Sequence, residues 1–142
     1  MIIDKRGDIL TSAAAYIVIP VNTVGVMGKG LALQAAKRWP DVDAAYRRWC
    51  AKQRPKGGDY VMLGSDGPCI ICLATKEHWR NPSRLEWIEH GLGYLQVLAQ
   101  FDQPIALPMI GCGLGGLPEE TVEPLIRRYL GDEPAEVELW KA

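Results

Sequence analysis

Two glycine-rich loops, each directly after an apolar run, constrain the fold of this chain more than any other feature. The first loop, residues 21–30, follows the apolar run 16–19, and the second loop, residues 111–116, follows the apolar run 105–107. Short apolar runs of this kind are typical of buried parallel strands, and open α/β sheets bind ligands beyond the carboxyl ends of their strands. Backbone N–H groups of glycine loops bind anions, and a helix that follows adds its positive end. The sequence therefore predicts two loops at one sheet edge, able to hold a nucleotide diphosphate from both sides.

The size and charge of the chain limit what it can do. Its 142 residues are the size of one ordinary domain, and we expect a single domain over residues 1–142. The net charge of −1 argues against broad, non-specific nucleic-acid binding but allows recognition of one nucleotide in a cleft. No apolar run approaches the roughly 18 residues of a membrane span. Residues 1–6 do not resemble a signal peptide. We expect a cytoplasmic location, no membrane contact and a monomer.

The cysteines do not predict a metal or redox centre. Cys69 and Cys72 have metal-like spacing, but they lie in one apolar run without a second pair or a nearby histidine. Three positions apart on a strand, their side chains point to opposite faces of the sheet, so both are interpreted as core residues. Cys112 has no obvious histidine partner and is interpreted as a small loop residue, not as a nucleophile. No metal and no cofactor are expected.

Strand and helix signals alternate along the chain, which predicts the α/β class: a mixed, mostly parallel sheet flanked by helices in three layers. Edge strands are predicted at Ile2 and Ile3 and at residues 137–140, where apolar and polar residues alternate. A turn at residues 64–68 predicts a hairpin between the runs 60–63 and 69–73.

Helix signals separate these strands. Helices are predicted from Gly30 to about Arg38 and from Pro40 through Trp49, with proline at the first position of the second. Ser83 and Glu86 have the spacing of a capping box, which predicts a helix start just before an apolar face that runs to Leu98. A last helix is predicted to start at Pro118 and to stop at Gly131.

The glycine loops do not fit either of two common nucleotide-binding motifs. Gly111, Gly113 and Gly116 match the spacing G-x-G-x-x-G, but only one short strand follows them, so half of a dinucleotide-binding fold would be missing. Neither glycine loop contains the G-x-x-x-x-G-K-[ST] pattern of a phosphate-binding P-loop.

Four motifs follow one another along nearly the whole chain: Gly7-Asp8-Ile9, a strand ending in Val21-Asn22, the stretch from Gly25 to Ala32, and the stretch from Leu107 to Gly113. In this order they resemble a macrodomain, a family that binds ADP-ribose. Residues 75–80, Thr-Lys-Glu-His-Trp-Arg, and residues 83–86 are most similar to the macrodomain of DarG-type DNA ADP-ribosylglycohydrolase antitoxins. The Thr75-Lys76 pair also resembles the terminal ADP-ribose protein glycohydrolase.

The resemblance implies a set of ADP-ribose contacts. Asp8 would accept a hydrogen bond from the adenine amino group, or else act as an ordinary turn or cap residue. Asn22 would hold the distal ribose, or else be a satisfied residue at a strand end. The implied ligand contacts are Asp8, Ile9, Asn22, Thr23, Gly25, Val26, Met27, Gly28, Lys29, Gly30, Gly111, Cys112, Gly113, Leu114, Gly115 and Gly116.

Lys76 is the implied catalytic residue. At the end of a buried strand and near other cations, its amine could have a lowered pKa and attack the anomeric carbon of the distal ribose. Alternatively, Lys76 could stabilise the opening ribose electrostatically, without a covalent step. His78, Arg80 and Arg84 are possible substrate contacts, the arginines as phosphate contacts at the cleft mouth.

Three functions stay open on the sequence. The first is hydrolysis of single ADP-ribose groups from DNA, with single-stranded DNA as the expected partner. The second is hydrolysis of another ADP-ribose compound, such as ADP-ribose 1″-phosphate or a modified protein. The third is a non-catalytic ADP-ribose reader.

Three features of the sequence bear on the choice among these functions. Lys76 favours catalysis, and Arg80 with Arg84 favours a polymeric substrate. The second loop, which ends Gly115-Gly116-Leu117, lacks the acidic residue of the protein-directed class, and this weakens a protein substrate.

Overall fold

A computed structural model describes residues 1–142 as one six-stranded sheet with helices on both faces. The strands are β1 (Ile2–Arg6), β2 (Tyr16–Asn22), β3 (Tyr60–Leu63), β4 (Cys69–Lys76), β5 (Ile105–Pro108) and β6 (Val137–Lys141). The helices are α1 (Gly30–Arg38), α2 (Pro40–Gln53), α3 (Leu85–Leu98) and α4 (Glu119–Leu130). None of these helices is both long enough and apolar enough to cross a bilayer.

The strand order is β1-β6-β5-β2-β4-β3. All neighbouring pairs are parallel except β3 and β4, which form the antiparallel hairpin that the turn at residues 64–68 predicts. The predicted α/β class with a mixed, mostly parallel sheet is therefore confirmed. Because β2, β4 and β5 are adjacent and parallel, their carboxyl ends meet at one edge, where Asn22, Lys76 and Pro108 end the three strands.

Alternating side chains of the central strands divide the interior into two cores. On β4, Ile70 and Cys72 face the core covered by α1 and α2, whereas Ile71 and Leu73 face the core covered by α3 and α4. The period of two residues in a strand produces this division, and burial on both faces explains the continuous apolar run. Cys72 is a core residue as predicted, and burial raises the pKa of its thiol to about 12. Cys69 is not, because it begins β4, is only partly buried and belongs to neither core.

Two predicted helices begin where the sequence indicates. Helix α1 runs from Gly30 to Arg38 as predicted, and α2 has Pro40 in its first turn. Helix α2 continues past the predicted end at Trp49 to Gln53, because no breaker follows Trp49. It stops at Arg54, whose φ of 47° is left-handed.

The predicted capping box before α3 is wrong. Helix α3 begins at Leu85 after Arg84, and no side chain caps its first turn. The Ser83 hydroxyl is buried and has no hydrogen-bond partner. The backbone N–H of Ser83 instead donates to the carbonyl of Gly115 at 2.8 Å. Ser83 is therefore tied to the second glycine loop and does not cap the helix.

The prediction of an edge strand at residues 137–140 is also wrong. β6 lies between β1 and β5, and Val137, Glu138 and Leu139 are all buried. The apolar and polar alternation is misleading because the polar residue, Glu138, accepts internal hydrogen bonds from Ser12 Oγ and Trp140 Nε1. β1 is an edge strand, as predicted, and β3 forms the other edge.

Candidate functional site

A cavity of about 710 Å³ lies at the carboxyl ends of β2, β4 and β5. Both glycine loops line it, together with the ends of the three strands. The predicted meeting of the two loops at one sheet edge is therefore observed. This volume is within the usual range of small-molecule sites, about 300–1,000 Å³.

The side chain of Asn22 organises the first loop. Its Oδ1 accepts the N–H groups of Val24, Gly25 and Val26 at 3.0, 3.1 and 3.3 Å, and its Nδ2 donates to the Val26 carbonyl at 2.8 Å. From α2, the buried Tyr46 hydroxyl donates to Asn22 Oδ1 at 2.8 Å and to the Asn22 carbonyl at 2.7 Å. Asn22 lines the cavity, and Nδ2 retains a second hydrogen. The contact with a ribose stays a prediction, whereas the loop-holding role is visible.

Other predicted residues of the first loop divide into two groups. Val26, Gly28, Lys29 and Gly30 line the cavity. Thr23, Gly25 and Met27 do not. The Thr23 hydroxyl donates to the Glu77 carbonyl at 2.9 Å, and this bond ties the loop to the segment after β4. Met27 is buried in the core beneath α1 and α2, where its side chain anchors the loop.

The second loop is packed against α3. A Cβ atom at Gly111, whose φ is +78°, would lie 2.7 Å from Ile88 Cδ1. A Cβ atom at Gly113, with φ +63°, would meet nothing within 4 Å. Gly111, Cys112, Leu114 and Gly115 line the cavity, whereas Gly113 and Gly116 lie in the same loop outside the lining. Partial burial raises the pKa of the Cys112 thiol, and the nearby Glu119 and Glu120 raise it further, so a reactive thiolate is disfavoured.

Lys76 ends β4 and reaches the cavity from the sheet side. Its Nζ donates to the carbonyl of Trp79 at 3.0 Å. Partial burial lowers the pKa of Lys76, and repulsion by the ammonium group of Lys29 lowers it further. Lys29, Lys76 and Arg80 line the cavity, and no Asp or Glu does. The cavity is therefore cationic in a chain with a net charge of −1.

Asp8 and Ile9 line an adjoining cavity of about 510 Å³. Leu31 and Pro108 line both cavities, so the two are contiguous. Asp8 Oδ1 accepts the Leu10 N–H at 3.0 Å and caps a 3₁₀ turn, which is the ordinary cap role that the sequence allows. Trp140 also lines this second cavity. The sequence did not indicate Trp140 as a site residue, because its pattern placed it only in an edge strand.

The segment after Lys76 forms one rim of the main cavity. The His78 ring stacks on the Trp79 ring with centroids 4.1 Å apart, and His78 Nδ1 accepts the Arg80 N–H at 3.1 Å. Arg80 and Trp79 line the cavity, but His78 does not. Sequence reasoning did not select Trp79, although a tryptophan this close to a candidate catalytic lysine was a usable signal.

Arg84 lies outside the cavity lining. Its guanidinium pairs with Glu86 at 3.4 Å and lies over the Trp87 ring. The side chains are exposed, so Arg84 stays a predicted contact for a substrate longer than the cavity. Among the His, Cys, Asp and Glu side chains, no group of three or more is arranged to hold a metal ion.

The sheet, the two glycine loops and the cavity define an α/β domain with a cationic cleft at the carboxyl edge of its sheet. Residues 18–126 match the Macro domain family, and the chain belongs to this family. The resemblance noted from the motifs is confirmed.

Similar proteins are known from bacteria. A protein of Thermus aquaticus named DNA ADP-ribosyl glycohydrolase is 41% identical over 143 residues, which cover 95% of this chain and 39% of that protein. The macrodomain of Mycobacterium tuberculosis DarG has a TM-score of 0.93 at 34% identity and covers 100% of this chain and 98% of that one. Thermosipho africanus DarTG in complex with ADP-ribose has a TM-score of 0.81 at 32% identity over 94% of this chain and 40% of that one. The chain thus spans about two fifths of the length of the first of these relatives.

Proposed function

We propose that this macrodomain binds ADP-ribose and hydrolyses single ADP-ribose groups from DNA. The observation that carries the proposal is the cleft itself: both glycine loops line it, its three charged residues are Lys29, Lys76 and Arg80, and no carboxylate lines it. The pKa of Lys76 is lowered there by partial burial and by Lys29. The similar protein of Thermus aquaticus is named a DNA ADP-ribosyl glycohydrolase, and the similar DarTG of Thermosipho africanus was solved in complex with ADP-ribose.

The shape of the two contiguous cavities supports one orientation of ADP-ribose. The diphosphate would lie between the glycine loops, where backbone N–H groups and Lys29 offset its charge. Adenine would occupy the adjoining cavity beside Asp8, whose Oδ2 makes no hydrogen bond within the chain and could accept from the amino group. The distal ribose would then lie near Asn22 and Lys76, at the ends of two paired strands.

Lys76 supplies the chemistry in this proposal. As a neutral amine, Nζ forms a bond to the anomeric carbon while the glycosidic bond breaks and the leaving base takes up a proton. Loss of a proton from Nζ and opening of the ribose give an imine, to which water adds to restore the amine and release ADP-ribose. In the alternative role, the charged Lys76 stabilises the opening ribose and forms no bond to it.

The lack of a carboxylate in the cleft bears on the substrate. Glu77, next to Lys76, is exposed, and its Oε2 accepts the Gly57 N–H at 3.1 Å outside the cavity lining. Without an acidic partner for Lys76, we favour DNA over a modified protein. Arg80 at the cavity and Arg84 beyond it favour a polymeric substrate, and single-stranded DNA is the expected form. The expectations of a monomer and of a cytoplasmic location stay predictions from the sequence.

A substrate panel tests the proposal. The protein is incubated with ADP-ribosylated single-stranded DNA, an ADP-ribosylated protein and ADP-ribose 1″-phosphate, and the released ADP-ribose or phosphate is measured. We expect release from the DNA alone or fastest from the DNA. Faster release from either other substrate contradicts the DNA proposal, and no release from any of the three, with ADP-ribose still bound, identifies a reader.

A further inference from the structure

The rim of the main cavity carries three exposed apolar side chains. Val26 from the first loop, Leu114 from the second loop and Trp79 from the segment after β4 line the cavity and are 40%, 67% and 44% exposed. Exposed apolar groups from three separate segments around one opening are typical of a surface that a ligand covers.

Trp79 has one ring contact within the chain. Its indole stacks on the His78 ring, whose Nδ1 accepts the Arg80 N–H, and the Trp79 backbone carbonyl accepts a hydrogen bond from Lys76 Nζ. Only the stacking on His78 involves the indole itself, and this contact does not depend on the side chain of Lys76. His78 is thus a positioning residue for Trp79 and lies outside the cavity lining.

We propose that Trp79 is a stacking platform for the leaving base of an unpaired nucleic-acid strand, with Arg80 contacting the adjacent phosphate. This inference rests on the proposed function, because the leaving group of the reaction is then a planar base. Proteins that bind single strands combine cationic grooves with aromatic side chains on which bases stack. Trp79 and Arg80 provide both features at the opening of the cavity, next to Lys76.

The proposal implies an unpaired base. Enzymes that act on a base inside a duplex must first extrude it, at the cost of its stacking and pairing. An indole at the opening would compensate for the lost stacking of a base that is already single-stranded. A carboxylate or hydroxyl side chain released from an ADP-ribosylated protein has no aromatic ring to stack, so Trp79 would contribute little to its recognition.

Binding measurements on a variant that cannot turn over test this proposal separately from catalysis. In a Lys76→Ala background, Trp79→Ala and Trp79→Phe are compared with Phe101→Ala, an exposed aromatic outside the cavity lining. The ligands are an ADP-ribosylated single-stranded oligonucleotide, an ADP-ribosylated peptide and free ADP-ribose. Hydrolysis of the oligonucleotide by the unaltered chain is measured in parallel, and its failure contradicts the proposed function alone.

We expect Trp79→Ala to weaken oligonucleotide binding about 5- to 150-fold, the usual effect of losing one base–aromatic stack. Trp79→Phe should stay within about 3-fold of the parent, because a smaller ring retains most of the stacking. Binding of the peptide and of free ADP-ribose should not change, and Phe101→Ala should match the parent throughout. Unchanged oligonucleotide binding in Trp79→Ala would overturn the proposal. So would equal losses for all three ligands, which would indicate that the indole supports the ADP-ribose pocket itself.

Discussion

Removing one oxygen atom from Tyr46 should loosen the first glycine loop without touching the cavity. Tyr46 is fully buried on α2, does not line the cavity, and donates its hydroxyl hydrogen to two oxygens of Asn22. Asn22 Oδ1 in turn accepts three consecutive backbone N–H groups of the loop. Tyr46→Phe keeps the ring and deletes only the outermost support of this network.

The loss of stability in Tyr46→Phe can be estimated from these contacts. In the variant, Oδ1 still has its backbone donors, so the loss is that of one buried hydrogen bond shared between two acceptors. Such a loss costs about 1–2 kcal/mol of the free energy of unfolding. For a domain of this size, about 4 °C of Tm corresponds to 1 kcal/mol, so Tm should fall by about 4–8 °C. If the loosened loop must be ordered again by the ligand, the affinity for ADP-ribose falls by at most about 5- to 30-fold.

Thermal unfolding and calorimetric titration with ADP-ribose measure both effects. Tyr129→Phe is the matched control, because it deletes the same atom from a hydroxyl that donates to Glu89 over a long 3.4 Å. We expect that control to lose less than about 0.5 kcal/mol and to bind ADP-ribose normally. Equal Tm values for Tyr46→Phe and the parent protein would refute the reasoning that this network holds the loop.

Three further predictions follow from the site. Gly113→Glu should abolish ADP-ribose binding, because it adds bulk and a negative charge to the second glycine loop. The left-handed φ of +63° should cost about 1–2 kcal/mol of the free energy of unfolding, but a Cβ atom there meets no other atom within 4 Å, so the protein should stay folded. Gly64→Glu in the β3–β4 turn should bind normally in the same titration. Ser83→Ala should leave Tm unchanged or raise it, because it removes a buried hydroxyl without a partner; a loss of about 0.5–2 kcal/mol, as for a true cap, would contradict this. If the neutral amine of Lys76 is the nucleophile, kcat should rise with pH through a pKa below the ordinary lysine value, and Lys29→Met should move the rise to higher pH by removing a repelling charge. A kcat that falls with rising pH would instead indicate the electrostatic role.

Much of the fold could be predicted because its signals are local. Buried strands such as β2 and β5 are continuous apolar runs, and the glycines after them mark the loops that line the cavity. The position of Lys76 followed from the same reasoning, since a residue that ends a buried central strand reaches the functional edge of the sheet.

What the sequence did not predict depends on long-range contacts. Ser83 has the spacing of a capping box, but its backbone pairs with Gly115, which lies 32 positions further along the chain. Glu138 looks like the exposed residue of an edge strand until Ser12 and Trp140 are found as its partners. Tyr46 follows the helical pattern of α2, and nothing local indicates that its hydroxyl supports a loop that begins with Asn22. Such partners become visible only once the chain is folded.

Hydrolysis of ADP-ribosylated single-stranded DNA by the parent protein, Lys76→Ala and Lys76→Arg tests the central claim most directly. We expect the parent to release ADP-ribose and Lys76→Ala to be slower by several orders of magnitude, because loss of a nucleophile costs far more than one hydrogen bond. Both variants should still bind free ADP-ribose, whose adenine and diphosphate contacts lie elsewhere. An inactive Lys76→Arg would support the covalent route, since arginine retains the charge but cannot form the imine, and partial activity would support electrostatic stabilisation. Full activity of Lys76→Ala would contradict the account, because the cleft would then cleave the bond without the residue placed at its chemical centre.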